Sequence, residues 1–437
     1  MHQKWQKKVC AGALCVAVLC SGCGSKGTIQ TDTTEVGAVS QEIKLPVLES
    51  EITYEIPVST VNVLADRNGY QMSRDKEVFF SGNDLGEEFQ VIDTVTGQIV
   101  FTGKIEKRDD GISQGDFSEL KETGTFYIET EKIGRSYPFE IADDIDYRLL
   151  QGLLSGSNAM TYDKTAQDVY ELSMGIHSFL VALQFHGSIF EKDSDLVTWI
   201  LKAASIIMES QDEKGSVYED YKATAAFCGV MNLCAKNFGK YDSELAASYK
   251  TASQKAWNWL KTQENTDADA FFYAAAASFN TEADENAKNE VVSYFEGNKG
   301  HLTGSYFSIF GSMLYLSAEQ GTDRDLCHVV MQELVEQTEV ICEKEKENPY
   351  LVYTEEMAED MKQLFLISFI DYVSPSNEYA VVMENAIHYL SGRNAEGLKL
   401  IDMSGEWMQD TTYTEEWEPV WNGVLINCLS GLIDDEE

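Results

Sequence analysis

The chain has 437 residues and carries 33 basic against 73 acidic side chains, a formal charge of −40. So acidic a chain repels phosphate backbones and anionic lipid head groups, which excludes nucleic acid as a partner and argues against a peripheral membrane face. A neutral polymer such as a glucan meets no such repulsion, and aromatic residues at 11% supply the core of the two or three domains that this length implies.

The first residues read as an export signal. Lys4, Lys7 and Lys8 precede an apolar run from Val9 to Cys20, too short to span a bilayer comfortably, which ends in Cys20-Ser21-Gly22-Cys23. Small residues before a cysteine resemble a lipoprotein signal box, implying cleavage before Cys23 and a lipid on that cysteine. A plain secretory peptide cut elsewhere is the alternative. The expected location is the outer face of the cell membrane, with the chain held there by its N-terminal lipid. Loss of residues 1–22 removes three lysines and no acids, so −40 becomes −43. Residues 23–56, rich in Gly, Ser, Thr and acids, read as a flexible tether.

From 57 to 143 the period is short. Val61 to Leu64, Glu77 to Phe80, Phe89 to Ile92, Gln98 to Phe101, Thr125 to Ile128 and Tyr137 to Ile141 are strand-length runs separated by turn signals. Six or seven short strands in under 90 residues predict a β-sandwich. After Asp143 the period becomes helical and stays so to 437. Leu172, Ile176, Phe179 and Leu183 form one stripe; Leu196, Trp199, Ile200, Ala203 and Ile207 form another. Twelve helical segments are expected, near 146–157, 168–187, 194–211, 222–238, 243–263, 267–279, 283–296, 303–319, 323–343, 355–372, 377–391 and 420–433. Twelve is the number needed for six hairpins closed into an (α/α)6 barrel; a plain helical array is the alternative, because no strict repeat is visible.

Cys228, Cys234, Cys327, Cys342 and Cys428 sit in apolar helical patterns without CxxC or Cys/His metal spacing, and read as buried free thiols. The six histidines lack HExxH spacing, and no phosphate-binding or dinucleotide fingerprint appears. No cofactor and no metal are therefore expected.

Several segments resemble glycoside hydrolase family 9, the cellulases that carry an N-terminal immunoglobulin-like domain. In the sandwich these are Val61-Asn62 followed by Gly69-Tyr70, FQVIDTVTGQIVFTG at 89–103, GDFSELKETGTFYI at 115–128 and SYPFEI at 136–141. In the helical part they are QDEKGSVY at 211–218, the segment 222–260 beginning KATAAFCG, and HYLSGRNAEG at 388–397. The resemblance implies an immunoglobulin-like β-sandwich, an (α/α)6 six-hairpin barrel, and inverting hydrolysis of β-1,4-linked glucan.

Inversion needs two carboxyl groups roughly 6.5–9.5 Å apart, one protonating the leaving oxygen and one drawing a proton from water. The family's base side is an Asp-Ala-Gly-Asp loop before a helix containing Gly-Ile. Counting back from Gly175-Ile176 puts Asp163 on the first aspartate and Ala166 on the second, which is the principal base. Asp168 can replace it only if the loop shifts register. The family's acid lies six residues before an Asn that follows an aromatic; Trp421-Asn422 makes that residue Glu416, flanked by Glu415 and Glu418. The family's His-His-Arg segment has no counterpart, since no histidine follows His388. Trp407 and Trp417 are candidate stacking platforms for sugar rings, Trp421 reads as core, and Tyr162 and Arg393 complete the substrate contacts that the resemblance implies. Trp199, Trp257 and Trp259 lie on helices and read as packing residues.

The leading expectation is a surface-anchored glycosidase acting on a polysaccharide or oligosaccharide. The rival is a catalytically inactive relative that binds glycans or serves as an envelope scaffold.

Overall fold

The computed structural model describes residues 61–82, 84–108, 111–157, 162–190, 195–298, 302–354, 356–408 and 418–434. The leader, the tether with Cys23, and the segment containing Glu415, Glu416 and Trp417 lie outside the described residues.

The first part is a sandwich of ten short strands: β1 (Val63–Leu64), β2 (Tyr70–Gln71), β3 (Glu77–Ser81), β4 (Glu88–Asp93), β5 (Ile99–Lys104), β6 (Glu106–Lys107), β7 (Ile112–Asp116), β8 (Gly124–Thr130), β9 (Gly134–Arg135) and β10 (Phe139–Ala142). One sheet runs β1-β3-β7-β6; the other runs β2-β10-β8-β4-β5 with β9 on β8. Alternation buries Val78, Phe80, Phe89, Val91, Phe126, Ile128, Phe139 and Ile141 between the sheets. The six expected strand runs are all present. Strand β7, reading Ile-Ser-Gln-Gly-Asp, escaped the sequence pattern because a glycine sits where an apolar residue would mark a strand. That glycine is required by its neighbour: a Cβ on Gly115 would stand 2.4 Å from the Phe89 ring.

The second part is helical: α1 (Ile145–Ser157), α2 (Ala166–Phe185), the single turn α3 (Gly187–Phe190), α4 (Asp195–Met208), α5 (Tyr221–Phe238), α6 (Ser243–Leu260), α7 (Ala268–Glu282), α8 (Glu285–Gly297), α9 (Tyr306–Leu316), α10 (Arg324–Glu347), α11 (Met357–Val373), α12 (Asn377–Leu390) and α13 (Pro419–Asp434). Leaving α3 aside, outer and inner helices alternate, as the (α/α)6 barrel requires. The inner ring runs α2, α5, α7, α9, α11, α13 and back to α2. The α9–α11 step is bridged by Phe310 and Phe365, ring centroids 4.6 Å apart. Inner helices such as α7 and α9 are buried on nearly all faces, whereas outer α6 and α10 keep one polar side. Part of the negative charge has a local cause. Asp220, Asp242, Asp267, Asp284 and Asp323 are N-caps whose carboxylates accept backbone N–H bonds and complement the helix dipole.

The inner helices are parallel. At one end Gln184 of α2 bonds Asn237 of α5 at 2.9 Å, Lys236 of α5 bonds Asn280 of α7 at 2.9 Å, and Asn280 bonds the Leu314 carbonyl of α9 at 2.7 Å. Those are all C-terminal ends, so the N-termini gather at the opposite end. Two connections that lead to that end share a fold not apparent in the sequence. Segments 211–218 and 401–408 each make a tight hairpin, with Asp212 N donating to Ser216 O and Asp402 N to Glu406 O. Only Asp and Gly are common to the two, and Gly215 and Gly405 both take left-handed conformations.

Arg393, expected to contact substrate, lies elsewhere. It is 1% exposed and sits beneath the sandwich, its guanidinium 4.6 Å from the Phe79 ring centroid and bonded to Asn385. Around it the two parts lock together. Arg67 N donates to Ser391 O, Asn68 Nδ2 donates to Ser391 Oγ and Ile401 O, and His388 Nδ1 lies 2.7 Å from Asp66 Oδ2. Phe79, Leu64 and Ile112 pack against Tyr350 and Leu351. The Gly-Arg-Asn segment therefore lies at the seam between domains, with Arg393 bonded to Asn385 and Asn394 to the Tyr389 and Leu398 carbonyls.

The barrel centre is filled. His177 of α2 stacks on Phe310 at 4.0 Å and shares a 2.8 Å hydrogen bond with Tyr273. Burial pushes its pKa down to about 3, so the folded protein keeps it neutral. The unfolded chain takes up a proton near pH 6.5 and the folded chain does not, so this group costs stability as pH falls below 6.5, up to about 1.4 kcal/mol per pH unit. Urea midpoints at pH 7, 6 and 5 should fall less steeply for His177→Phe than for the native chain.

Candidate functional site

The N-terminal ends of the inner helices form a mouth to which several elements contribute carboxylates, phenols and the lysines Lys164 and Lys222. Helix α2 enters it through a capping box. Thr165 Oγ1 accepts from Asp168 N at 3.1 Å, while Asp168 Oδ2 accepts from Thr165 N at 2.8 Å. Asp163 is exposed just before this cap, and Lys164 holds a left-handed conformation between them. Tyr162 is half-buried and packs against the helical core. Burial, then the charges of Asp168 and Glu171, push its phenol upward, so it stays protonated.

Helix α13 lies against α2. Pro419 Cβ would be 3.1 Å from a Cβ on Gly175. Nine residues, roughly 14 Å of helix rise, separate Gly175 from Ala166. The first turns of α2 thus stand above the start of α13. Glu418 is half-buried, and its charge acts on two phenols that burial already holds protonated, Tyr170 of α2 and Tyr306 of α9. Tyr306 Oη is buried with no hydrogen-bond partner among the described residues. Lys222, in the first turn of α5, places Nζ 3.6 Å from the Tyr170 ring centroid.

The mouth therefore joins Glu418, Tyr170, Tyr306 and Lys222 to the expected Tyr162, Asp163 and Asp168. Tyr170, Tyr306 and Lys222 went unnoticed in the sequence, where tyrosines at the start of apolar helices look like core. Trp407 is half-buried; its indole N–H donates to Asn422 Oδ1 at 2.7 Å and its ring meets Trp421 edge-on at 5.5 Å. Trp407 is thereby a packing partner of the buried Trp421. Ala166 occupies the first position of α2, its methyl against the core. A shift of register that moved Asp168 toward the base position would break the capping box, at a cost of about 1 kcal/mol. The described residues contain no group of three or more His, Cys, Asp or Glu side chains placed to hold a metal ion.

Asp168→Ala should lower stability by about 1 kcal/mol, as the loss of a cap predicts, and Thr165→Ala should do the same. Combining them should cost less than the sum, because both remove one reciprocal contact. Chemical denaturation of the two single variants and the double variant checks this.

Residues 59–135 match the family model described as the cellulase N-terminal ig-like domain. No curated protein matches the chain by sequence. Among solved structures, the chain is similar to AaCel9A in complex with cellobiose-like isofagomine, at 14% identity and a TM-score of 0.72, covering 85% of this chain and 100% of that one. A thermostable endoglucanase from Alicyclobacillus acidocaldarius carrying a D468A substitution gives 14% identity and 0.72, with 86% and 100% covered. A metagenome-derived glycoside hydrolase family 9 endoglucanase gives 13% identity and 0.71, with 84% and 98% covered. The chain thus joins a cellulase-type immunoglobulin-like domain to a helical barrel with the fold of family 9 endoglucanases.

Proposed function

We propose that this chain binds a β-1,4-linked glucan or a related polysaccharide across the N-terminal mouth of its barrel and holds it without cutting it. The observation that carries this reading is the state of the α2 entrance: Ala166 stands at the first helical position, and the nearest helical carboxylate, Asp168, has an oxygen bonded to the Thr165 amide. A methyl group accepts no proton, and loss of a general base typically costs 10²–10⁴-fold in rate. The fold shared with endoglucanases and with AaCel9A, which was solved with cellobiose-like isofagomine, supports a glucan-type partner.

Inverting hydrolysis, with Glu416 as acid and Asp163 as the water-orienting carboxylate, is the second reading. The packing of the start of α13 against Gly175 of α2, which turns both helix N-termini toward the same end of the barrel, favours it. Affinity electrophoresis through gels containing soluble β-glucan, paired with a reducing-sugar assay, separates the two. Binding without hydrolysis predicts retarded migration that Trp417→Ala weakens and no new reducing ends. Release of sugar that Glu416→Gln abolishes would establish the second reading instead.

The polymer is met at the cell surface in this proposal, with Cys23 carrying the lipid anchor. Cys23→Ala should move the protein from the membrane fraction to the medium; an unchanged distribution contradicts the anchor.

A further inference from the structure

Helix α10 ends against the sandwich, and one turn before its C-cap Asn348 it buries a carboxylate there. Glu345 is 2% exposed, and the residues that follow the helix, Tyr350 and Leu351, pack on Leu64, Phe79 and Ile112. From Glu345 a line of polar groups crosses the seam. Asn385 Nδ2 of α12 donates to Glu345 Oε1 at 2.5 Å, Arg393 Nη2 donates to Asn385 Oδ1 at 2.5 Å, and Arg393 Nη1 lies 3.7 Å from Glu77 Oε2 of β3.

Donor and acceptor types fix the orientation of this line. A guanidinium only donates, so Asn385 turns its oxygen to Arg393 and its NH2 to Glu345, which has to accept. A carboxylate accepts, and so does the carbonyl oxygen of a carboxylic acid. A proton on the other oxygen of Glu345 therefore removes the charge and leaves the line intact. Two carboxylates, Glu345 and Glu77, share the one guanidinium, and Glu345 reaches it only through an amide. The other charged and titratable groups around Glu345 do not supply a second cation. Lys346 is exposed and paired with Glu378 of α12, and Cys342, one turn earlier on α10, is a thiol whose pKa burial pushes up to about 12. Asp66, which acts on Tyr70 as Arg393 does, is held by His388. Burial holds the Glu345 carboxyl above its ordinary value of 4.5, against the pull of Asn385, Arg393 and Lys346.

We propose that this line is an acid-tightened clamp between sandwich and barrel, in which protonation of Glu345 removes the surplus buried charge while the hydrogen bonds across the seam remain. A buried carboxylate that loses an ion pair weakens a fold in acid; this one strengthens it. The folded chain takes up the proton more readily than the unfolded chain, so the contribution to stability is complete below pH 4.5 and is lost as pH rises through the folded value. The seam is thus held most firmly in acid, where the barrel loses stability through His177.

Glu345→Gln in the full chain keeps an oxygen for Asn385 and carries no charge at any pH. Its thermal midpoint should exceed the native one by roughly 2 °C at pH 8, and the gap should narrow as pH falls to 5. His177 is the same in both proteins and cancels in the difference. Hydrogen exchange in segments 63–80 and 385–394, compared at each pH, should be slower in the variant at pH 8 and approach the native rate at pH 5. Glu77→Gln, which leaves Arg393 to Glu345, should gain stability relative to the native chain as pH goes from 5 to 8. A Glu345→Gln gap that stays constant from pH 8 to 5, or a variant less stable than the native chain at every pH, overturns the clamp. Should Glu345→Gln fail to fold, the Glu77→Gln series decides: a difference from native that does not change with pH overturns the clamp, and one that grows toward pH 8 supports it.

Discussion

The inner helices can form a closed ring only if α13 lies hard against α2, and that contact leaves no space for a side chain at its centre. A Cβ on Gly423 would stand 1.8 Å from Ser178 Oγ, and Asn427 of α13 donates to the Ser178 carbonyl of α2 at 2.9 Å. Helix α13 follows the segment containing Glu416, and α2 follows the turn containing Asp163. Their close approach therefore brings Glu418, just before α13, to the same end of the barrel as the entrance to α2, where its charge acts on Tyr170. The mouth and its phenols follow from this closure, because the other inner helices start at the same end.

The sandwich is fixed to the barrel by a polar seam rather than by a flexible linker. Arg74 pairs with Asp146 of α1 and Glu384 of α12, while Arg393 reaches from the end of α12 to Phe79 and Glu77. Breaking such a seam leaves buried charges without partners, which is costly. Two of the segments that carry the resemblance, Gly69-Tyr70 and Gly392-Arg393-Asn394, lie at this seam. They report on architecture. Closure of the barrel depends on glycines and apolar surfaces.

Much of this was legible in the sequence. Period-two runs gave six strands, and the twelve helical segments correspond to the inner and outer helices, since long apolar stripes survive in any tertiary context. Short strands such as β2 and β7 were lost, because two residues carry no period and a glycine under an aromatic ring interrupts one. The segment 211–218 stood out in the sequence, but its likeness to 401–408 did not, because the two share only an Asp and a Gly. Arg393 misled because a buried arginine and a substrate-gripping arginine are the same letter. Trp259 was indistinguishable from Trp257, which lies two positions earlier on the same helix; Trp257 is buried and stacked on Phe271 of α7, whereas Trp259 is half-buried.

The account stands or falls on whether a glucan held at this mouth stays intact. Proton NMR of the anomeric signals of cellohexaose, incubated for days with stoichiometric protein near neutral pH, measures that directly. The account predicts broadened or shifted sugar signals from binding and an unchanged chain length. Shorter products newly formed as the α-anomer would contradict it.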